Sequence, residues 1–127
     1  ELWMKLVVNC AYNAISAITQ LPYGRLIEGT GVRAVMSDAV RETIAVAAAK
    51  GVRMPPDTLE RVMKIAGAMP AQYSSTAQDL ARGKPSEIDH LNGFIARRGR
   101  ERGVPVPVNT TLHALVKLVE ARHERSG

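Results

Sequence analysis

One cysteine, one tryptophan, one phenylalanine and three tyrosines are spread over 127 residues. The single thiol, Cys10, sits inside an apolar run and can form no intramolecular disulfide, which points to a reducing, cytoplasmic compartment. An aromatic content of 4% leaves few platforms for stacking single-stranded nucleic acid. No apolar run approaches 18 residues without strongly polar interruption, which argues against a membrane span. The N-terminus has some likeness to a signal peptide, but Asn9, Asn13 and Gln20 break its hydrophobic stretch. No segment alternates with a period of two, so no sheet is expected. No G-x-G-x-x-G follows a strand, so the chain carries no dinucleotide phosphate loop of its own. His90, His113 and His123 stand at no ligand spacing to one another or to Cys10, and no metal is expected.

What is present is helical. Hydrophobic residues make up 46% of the chain, enough for one domain with a core, and the net charge of +5 admits anionic partners without naming one. The chain opens at Glu1, not Met, inside a helical pattern, as a piece of a longer protein would. Periodicity and punctuation predict six helices. The first spans about Leu2 to Gln20, followed by an irregular loop with Pro22, Gly24, Gly29 and Gly31. A second covers about Val32 to Lys50, with Gly51 at its end. A third runs from about Thr58 to Ala68, carrying the stripe Leu59, Val62, Met63 and Ala66. A fourth covers Gln72 to Arg82. A fifth runs from Pro85 to about Arg102, with Ser86 and Asp89 in the spacing of a capping box. Val104-Pro105-Val106-Pro107 forms an extended linker, and Asn109 or Thr110 caps the sixth helix. The fold class is therefore all-α, in one domain over residues 1–127.

Three constellations carry chemistry. Lys5, Asn9 and Asn13 stand four residues apart, and on a helix this spacing drifts by only about 40° per step, so they form one polar stripe among apolar neighbours. Burying such groups alone costs on the order of 2–7 kcal/mol each, so the stripe faces either a polar network or a wet cleft. In a network, the amides join helices and the lysine is solvated. In a cleft, a desolvated lysine becomes a proton donor near neutral pH. Ser74, Ser75 and Thr76 cluster at a helix start, as ordinary caps or as a carboxylate site. In the stretch S-E-I-D-H-L-N-G (86–93), Glu87 either matches a helix dipole or accepts a hydrogen bond from a substrate hydroxyl. Gly93, costly in mid-helix, indicates close packing. The run R-R-G-R-E-R (97–102) reads as a solvated helix end or as a phosphate contact.

Taken together, W-M-K-L-V-V-N-C-A-Y-N (3–13), S-S-T-A-Q-D-L-A-R-G-K-P-S-E-I-D-H-L-N-G (74–93) and G-V-P-V-P-V-N (103–109) resemble the C-terminal domain of the ketopantoate reductase family. The resemblance implies an all-α domain similar to the 6-phosphogluconate dehydrogenase C-terminal-like fold. It implies a separate N-terminal Rossmann domain, absent from this chain, that holds most of NADPH. It implies reduction of a 2-oxo acid, 2-dehydropantoate to (R)-pantoate, on the route to pantothenate and coenzyme A. On this resemblance Lys5 is the catalytic acid, Asn9 and Asn13 contact the substrate, Ser75 meets its polar end, and Glu87 holds its hydroxyl. Where the family can carry a further substrate-binding asparagine after the first helix, this chain has Tyr23. Without the Rossmann domain the chain is expected to be inactive, and its bared surface allows self-association, including a homodimer. Neither nucleic acid nor membrane is an expected partner. The alternatives are a reductase of another 2-oxo acid and a non-enzymatic helical module that binds through the arginine run.

Overall fold

The computed structural model describes residues 2–126, and side chains as far as residue 122; Glu1 and the His123 side chain, both used in the sequence reading, lie outside these. Among the described residues there are seven α-helices, one 3-10 turn and no strand. The helices are α1 (Leu2–Thr19), α2 (Tyr23–Leu26), α3 (Val32–Ala49), α4 (Thr58–Ala68), α5 (Ser75–Ala81), α6 (Asn92–Arg102) and α7 (Pro107–Ser126), with the 3-10 turn at Ile88–His90.

Helix α1 is the axle of the fold, as a helix apolar on nearly every side must be. It packs against α2, α3, α4, α5 and α7. Its Val7, Ala11 and Tyr12 enter one core cluster with Met36, Val40, Val62 and Ala66. Its Ala14 and Ala17 enter a second with Leu80, Ile88, Leu112 and Val116, and Cys10 a third with Val46, Ile95 and Val106. The Tyr12 hydroxyl donates to Val62 O at 2.7 Å and accepts from Ala66 N at 3.1 Å, so the largest buried ring on α1 also satisfies its polar tip. Glycines close the helices as expected: Gly51 and Gly103 take φ of 85° and 70°, the left-handed region that ends a helix cheaply only at glycine.

Five local expectations are corrected by the structure. The loop after α1 contains the single-turn helix α2. The predicted helix over Gln72–Arg82 is shorter, because Ser74 is extended and pinned to α1: its N–H donates to Ser16 Oγ (3.3 Å) and its hydroxyl to Asn13 O (3.3 Å) while accepting from Ala77 N (3.0 Å). The predicted fifth helix is two pieces, the 3-10 turn and α6, hinged at Leu91 with φ −112° and ψ −104°. The Ser86–Asp89 capping box does not form, since both side chains turn to α7. The last helix begins at Pro107, a residue suited to a first helical position. Asn109 is not its cap: its side chain is buried against α3 and Asn92.

Candidate functional site

Two stripes of identical spacing face one another. Leu2, Lys5, Leu6 and Asn9 stand at i, i+3, i+4 and i+7 on α1, which puts them on one helical face. Glu87, His90, Leu91 and Phe94 repeat that spacing through the 3-10 turn into α6. Together these eight residues line a cleft of about 300 Å³. Its polar groups are an ammonium, a carboxylate, an imidazole and an amide; the rest of the lining is apolar.

Buried bonds behind the cleft fix the two walls. Asn92 Nδ2 donates to Cys10 O at 3.1 Å, joining the start of α6 to α1 one residue past Asn9, and to Asn109 Oδ1 at 2.9 Å. Asn92 Oδ1 is buried with no protein partner. Asn109 Nδ2 in turn reaches Ala39 O and Glu42 Oε1 on α3. At the cleft's other end the rings of Trp3 and Phe94 meet at 6.2 Å, and the Arg98 guanidinium lies 5.3 Å over Phe94. Arg98 also pairs with Glu101, which accounts for one cation of the arginine run as a local contact. Burial pushes the Cys10 thiol up to about 12; a hydrogen bond with Thr43 opposes this and the charge of Glu42 adds to it. Such a thiol is an inert core group.

The sequence-derived residues separate into those that share the cleft and those that do not. Lys5, Asn9 and Glu87 line it together. Lys5 is exposed, so dry surroundings for it are not present within this chain. Asn13 is only 3% exposed, and its Nδ2 donates to Thr76 Oγ1 at 3.2 Å, so it joins α1 to α5 and does not line the cleft. Ser75, next to Thr76, is exposed at the start of α5 and also stands outside the cleft. Tyr23 is a core residue, 7% exposed, with its ring 4.4 Å from that of Tyr12. His90 and Phe94 are cleft residues that the sequence reading did not place there; the i, i+3, i+4, i+7 spacing from Glu87 is the signal that would have found them. Gly93 is close-packed as expected: a Cβ on it would stand 2.7 Å from His113 Nε2. Among the described residues no group of three or more His, Cys, Asp or Glu is placed to hold a metal, and no helix is long and apolar enough to cross a membrane.

Comparison with known proteins agrees with this fold. Residues 1–120 match the family described as Ketopantoate reductase PanE/ApbA C terminal. A 2-dehydropantoate 2-reductase of Pyrobaculum aerophilum is 40% identical over 119 residues, which are 94% of this chain and 43% of that protein. The crystal structure of a PanE/ApbA family ketopantoate reductase from Ralstonia eutropha superposes with a TM-score of 0.94 at 63% identity, over 97% of this chain and 41% of its own. The ternary structure of D-mandelate dehydrogenase with NADH and anilino(oxo)acetate gives a TM-score of 0.90 at 25% identity, over 96% of this chain and 52% of its own. This chain thus spans about two-fifths of the reductases it matches. It belongs to the ketopantoate reductase family, as that family's C-terminal helical domain.

Proposed function

We propose that this domain supplies the substrate-binding and proton-donating half of an NADPH-dependent reductase that converts 2-dehydropantoate to (R)-pantoate. The observation that carries the reading is the convergence of Lys5, Asn9 and Glu87, from segments about eighty residues apart, on one cleft of about 300 Å³. A small 2-oxo acid needs a cation near its carbonyl, a donor for its oxygens and, for this substrate, an acceptor for its hydroxyl; the three side chains supply one each.

The cofactor fits this chain only at its ring end. Leu6, Leu91 and Phe94 offer an apolar wall of the kind a nicotinamide packs on, while no glycine-rich strand-to-helix loop for its phosphates is found among the described residues. The phosphates therefore belong to the N-terminal domain in this reading. When bound, the nicotinamide supplies a hydride to C2 of the 2-oxo acid. The remaining tasks fall to side chains of this domain. Lys5 stabilises the negative charge that develops on the carbonyl oxygen and transfers a proton from Nζ to it, leaving a neutral amine to be reprotonated from solvent. Asn9 orients the substrate by hydrogen bonding from one turn along α1. Glu87 accepts a hydrogen bond from the C4 hydroxyl. Ser75, exposed at the start of α5, is available to the part of the substrate site that the second domain completes, whereas Asn13 reaches a substrate only if its bond to Thr76 opens. Closure of that domain dries the surroundings of Lys5, which are open in this chain alone.

A second reading, reduction of a different 2-oxo acid, is favoured by the likeness to D-mandelate dehydrogenase. A substrate panel on the full-length protein decides between them: 2-dehydropantoate should give the highest kcat/KM, and a higher value for an aromatic 2-oxo acid would select the second reading. In the same protein Lys5→Ala should lower kcat by roughly 10²–10³, the cost of losing one donor at a developing oxyanion, while the Kd for NADPH stays nearly unchanged. A variant that keeps half the parent kcat removes Lys5 from the role of acid.

A further inference from the structure

The short segment from Ser86 to His90 has two faces. A 3-10 turn repeats every three residues, so side chains at i and i+3 lie above one another. Glu87 and His90 form one such pair, and both line the cleft. Ser86, just before the turn, and Asp89, within it, are both tied to α7. Ser86 N and Oγ donate to Glu120 Oε2 at 2.8 and 2.6 Å. Asp89 Oδ1 lies 2.7 Å from His113 Nε2, and its Oδ2 accepts from Lys117 Nζ at 3.3 Å. Lys117 Nζ also lies 3.2 Å from Glu120 Oε1, so one cation links the two carboxylates. Ile88, between them, is fully buried in the core. Every residue from 86 to 89 except Glu87 is therefore held from behind.

Glu120 is the most buried polar member of this brace, 7% exposed and with both oxygens engaged. A carboxylate in such a place costs more to bury than an apolar side chain of similar volume. It does not line the cleft, and its two bonds from Ser86 hold the segment that presents Glu87.

We propose that Glu120 is a positioning residue for substrate selection: through Ser86 it sets the place of the Glu87 carboxylate, and so the preference for a 2-oxo acid that bears a hydroxyl. The proposal rests on the reading of Glu87 as the acceptor of that hydroxyl. The discriminating pair of substrates is 2-dehydropantoate and 3,3-dimethyl-2-oxobutanoate, which has the same skeleton without the hydroxyl. Glu87 is exposed in this chain; once the second domain covers it, a site built to bond a hydroxyl rejects the analogue that lacks it, because its acceptor is then left unpaired.

The experiment measures the ratio of kcat/KM for these two substrates in the full-length protein and in Glu87→Ala, Glu120→Ala, Glu120→Gln and the Glu87→Ala/Glu120→Ala double variant. Glu120→Ala should lower the ratio by roughly 5- to 20-fold, the range of couplings within one hydrogen-bonded network. Glu120→Gln, which keeps an acceptor for Ser86, should stay within about two-fold of the parent. The double variant should show no lower ratio than Glu87→Ala, because a residue acting through Glu87 has nothing left to position. If Glu120→Ala leaves the ratio unchanged while Glu87→Ala lowers it, or if the losses multiply in the double variant, the proposal is overturned and Glu87 keeps its role. If Glu87→Ala leaves the ratio unchanged, hydroxyl recognition itself fails and the proposal falls with it. Should Glu120→Ala not fold, Glu120→Leu replaces it, filling a similar volume without an acceptor for Ser86: a fall in the ratio supports the proposal and an unchanged ratio overturns it.

Discussion

Glu42 caps α7 from a different helix: its Oε1 accepts from both the backbone N–H and the side-chain Nδ2 of Asn109, each at 2.9 Å. Its other oxygen accepts from Val108 N at 2.9 Å. The first turn of α7 has free N–H groups, and α3 supplies the carboxylate that satisfies two of them. Glu42→Ala leaves three donors without this acceptor, and should destabilise the protein by about 1–3 kcal/mol or more. Glu42→Gln keeps one oxygen for the helix end and should cost less. Urea unfolding of the three proteins checks the order, and equal midpoints for Glu42→Ala and the parent would show that water replaces the cap.

Gly93→Ala sets two effects against each other. Alanine gains up to about 1 kcal/mol in a helix over glycine. Against that, the new Cβ would stand 2.7 Å from His113 Nε2 and 2.9 Å from Cδ2, and overpacking of this kind costs about 1–3 kcal/mol. The imidazole cannot simply swing away, because Asp89 holds it at 2.7 Å. The expected result is a lower Tm for Gly93→Ala, with partial recovery in Gly93→Ala/His113→Ala. A rise in Tm for the single variant would show that the ring moves freely.

The acid limb of the stability curve should depend on Asp89 and Glu120. The hydrogen bond with His113, helped by Lys117, holds Asp89 below its ordinary value of 3.8. Burial pushes Glu120 up, but Ser86 and Lys117 outweigh it and leave it below 4.5. A carboxylate whose folded pKa is depressed stabilises the fold fully above its unfolded pKa, and that contribution is lost as pH falls through the folded one. Tm should therefore fall as pH drops below about 4.5, and Asp89→Asn should flatten part of that fall. Identical acid limbs for Asp89→Asn and the parent would count against the assignment.

At high pH the sign reverses. Cys10, raised from 9.0 to about 12, favours the fold while the unfolded thiol is still protonated. This contribution is lost as pH climbs from 9.0 towards 12. Cys10→Ala should therefore lose less stability over that range than the parent, although it leaves a small cavity at neutral pH. A thiol reagent should label the native protein far more slowly than the urea-unfolded one, and labelling at the same rate would show that the site opens readily.

Much of the helix order was legible because local chemistry decides it. Thr58 and Ala68 bound α4 where Pro55, Pro56 and Pro70 make continuation impossible, and the all-apolar surround of α1 announced its central place. The polar stripe of α1 was legible as well, but its division was not. Lys5 and Asn9 open on the cleft while Asn13 is spent on Thr76, and only the position of α5 determines where that change falls. The misread starts share one cause. Ser86, Asp89 and Asn109 have short polar side chains that cap helices by default, yet each found a partner far along the chain: Glu120, His113 and Glu42; Ser74 does cap α5 through Ala77 N, but its bonds to Ser16 and Asn13 on α1 set where that helix begins. Those partners lie between 24 and 67 residues away, beyond the reach of any local spacing rule.

The three-residue repeat of the Ile88–His90 turn has a consequence for how this stretch can change over time. Point substitutions leave the repeat intact, but one inserted or deleted residue turns every following side chain by about 120°. His90 would leave the cleft, and Asp89 would lose its place opposite His113, while the Ser86 anchor stayed where it is. Variation in length should therefore be selected against more strongly here than variation in composition, and the loops at 27–31 and 82–85, which carry no such phase, are where insertions can accumulate.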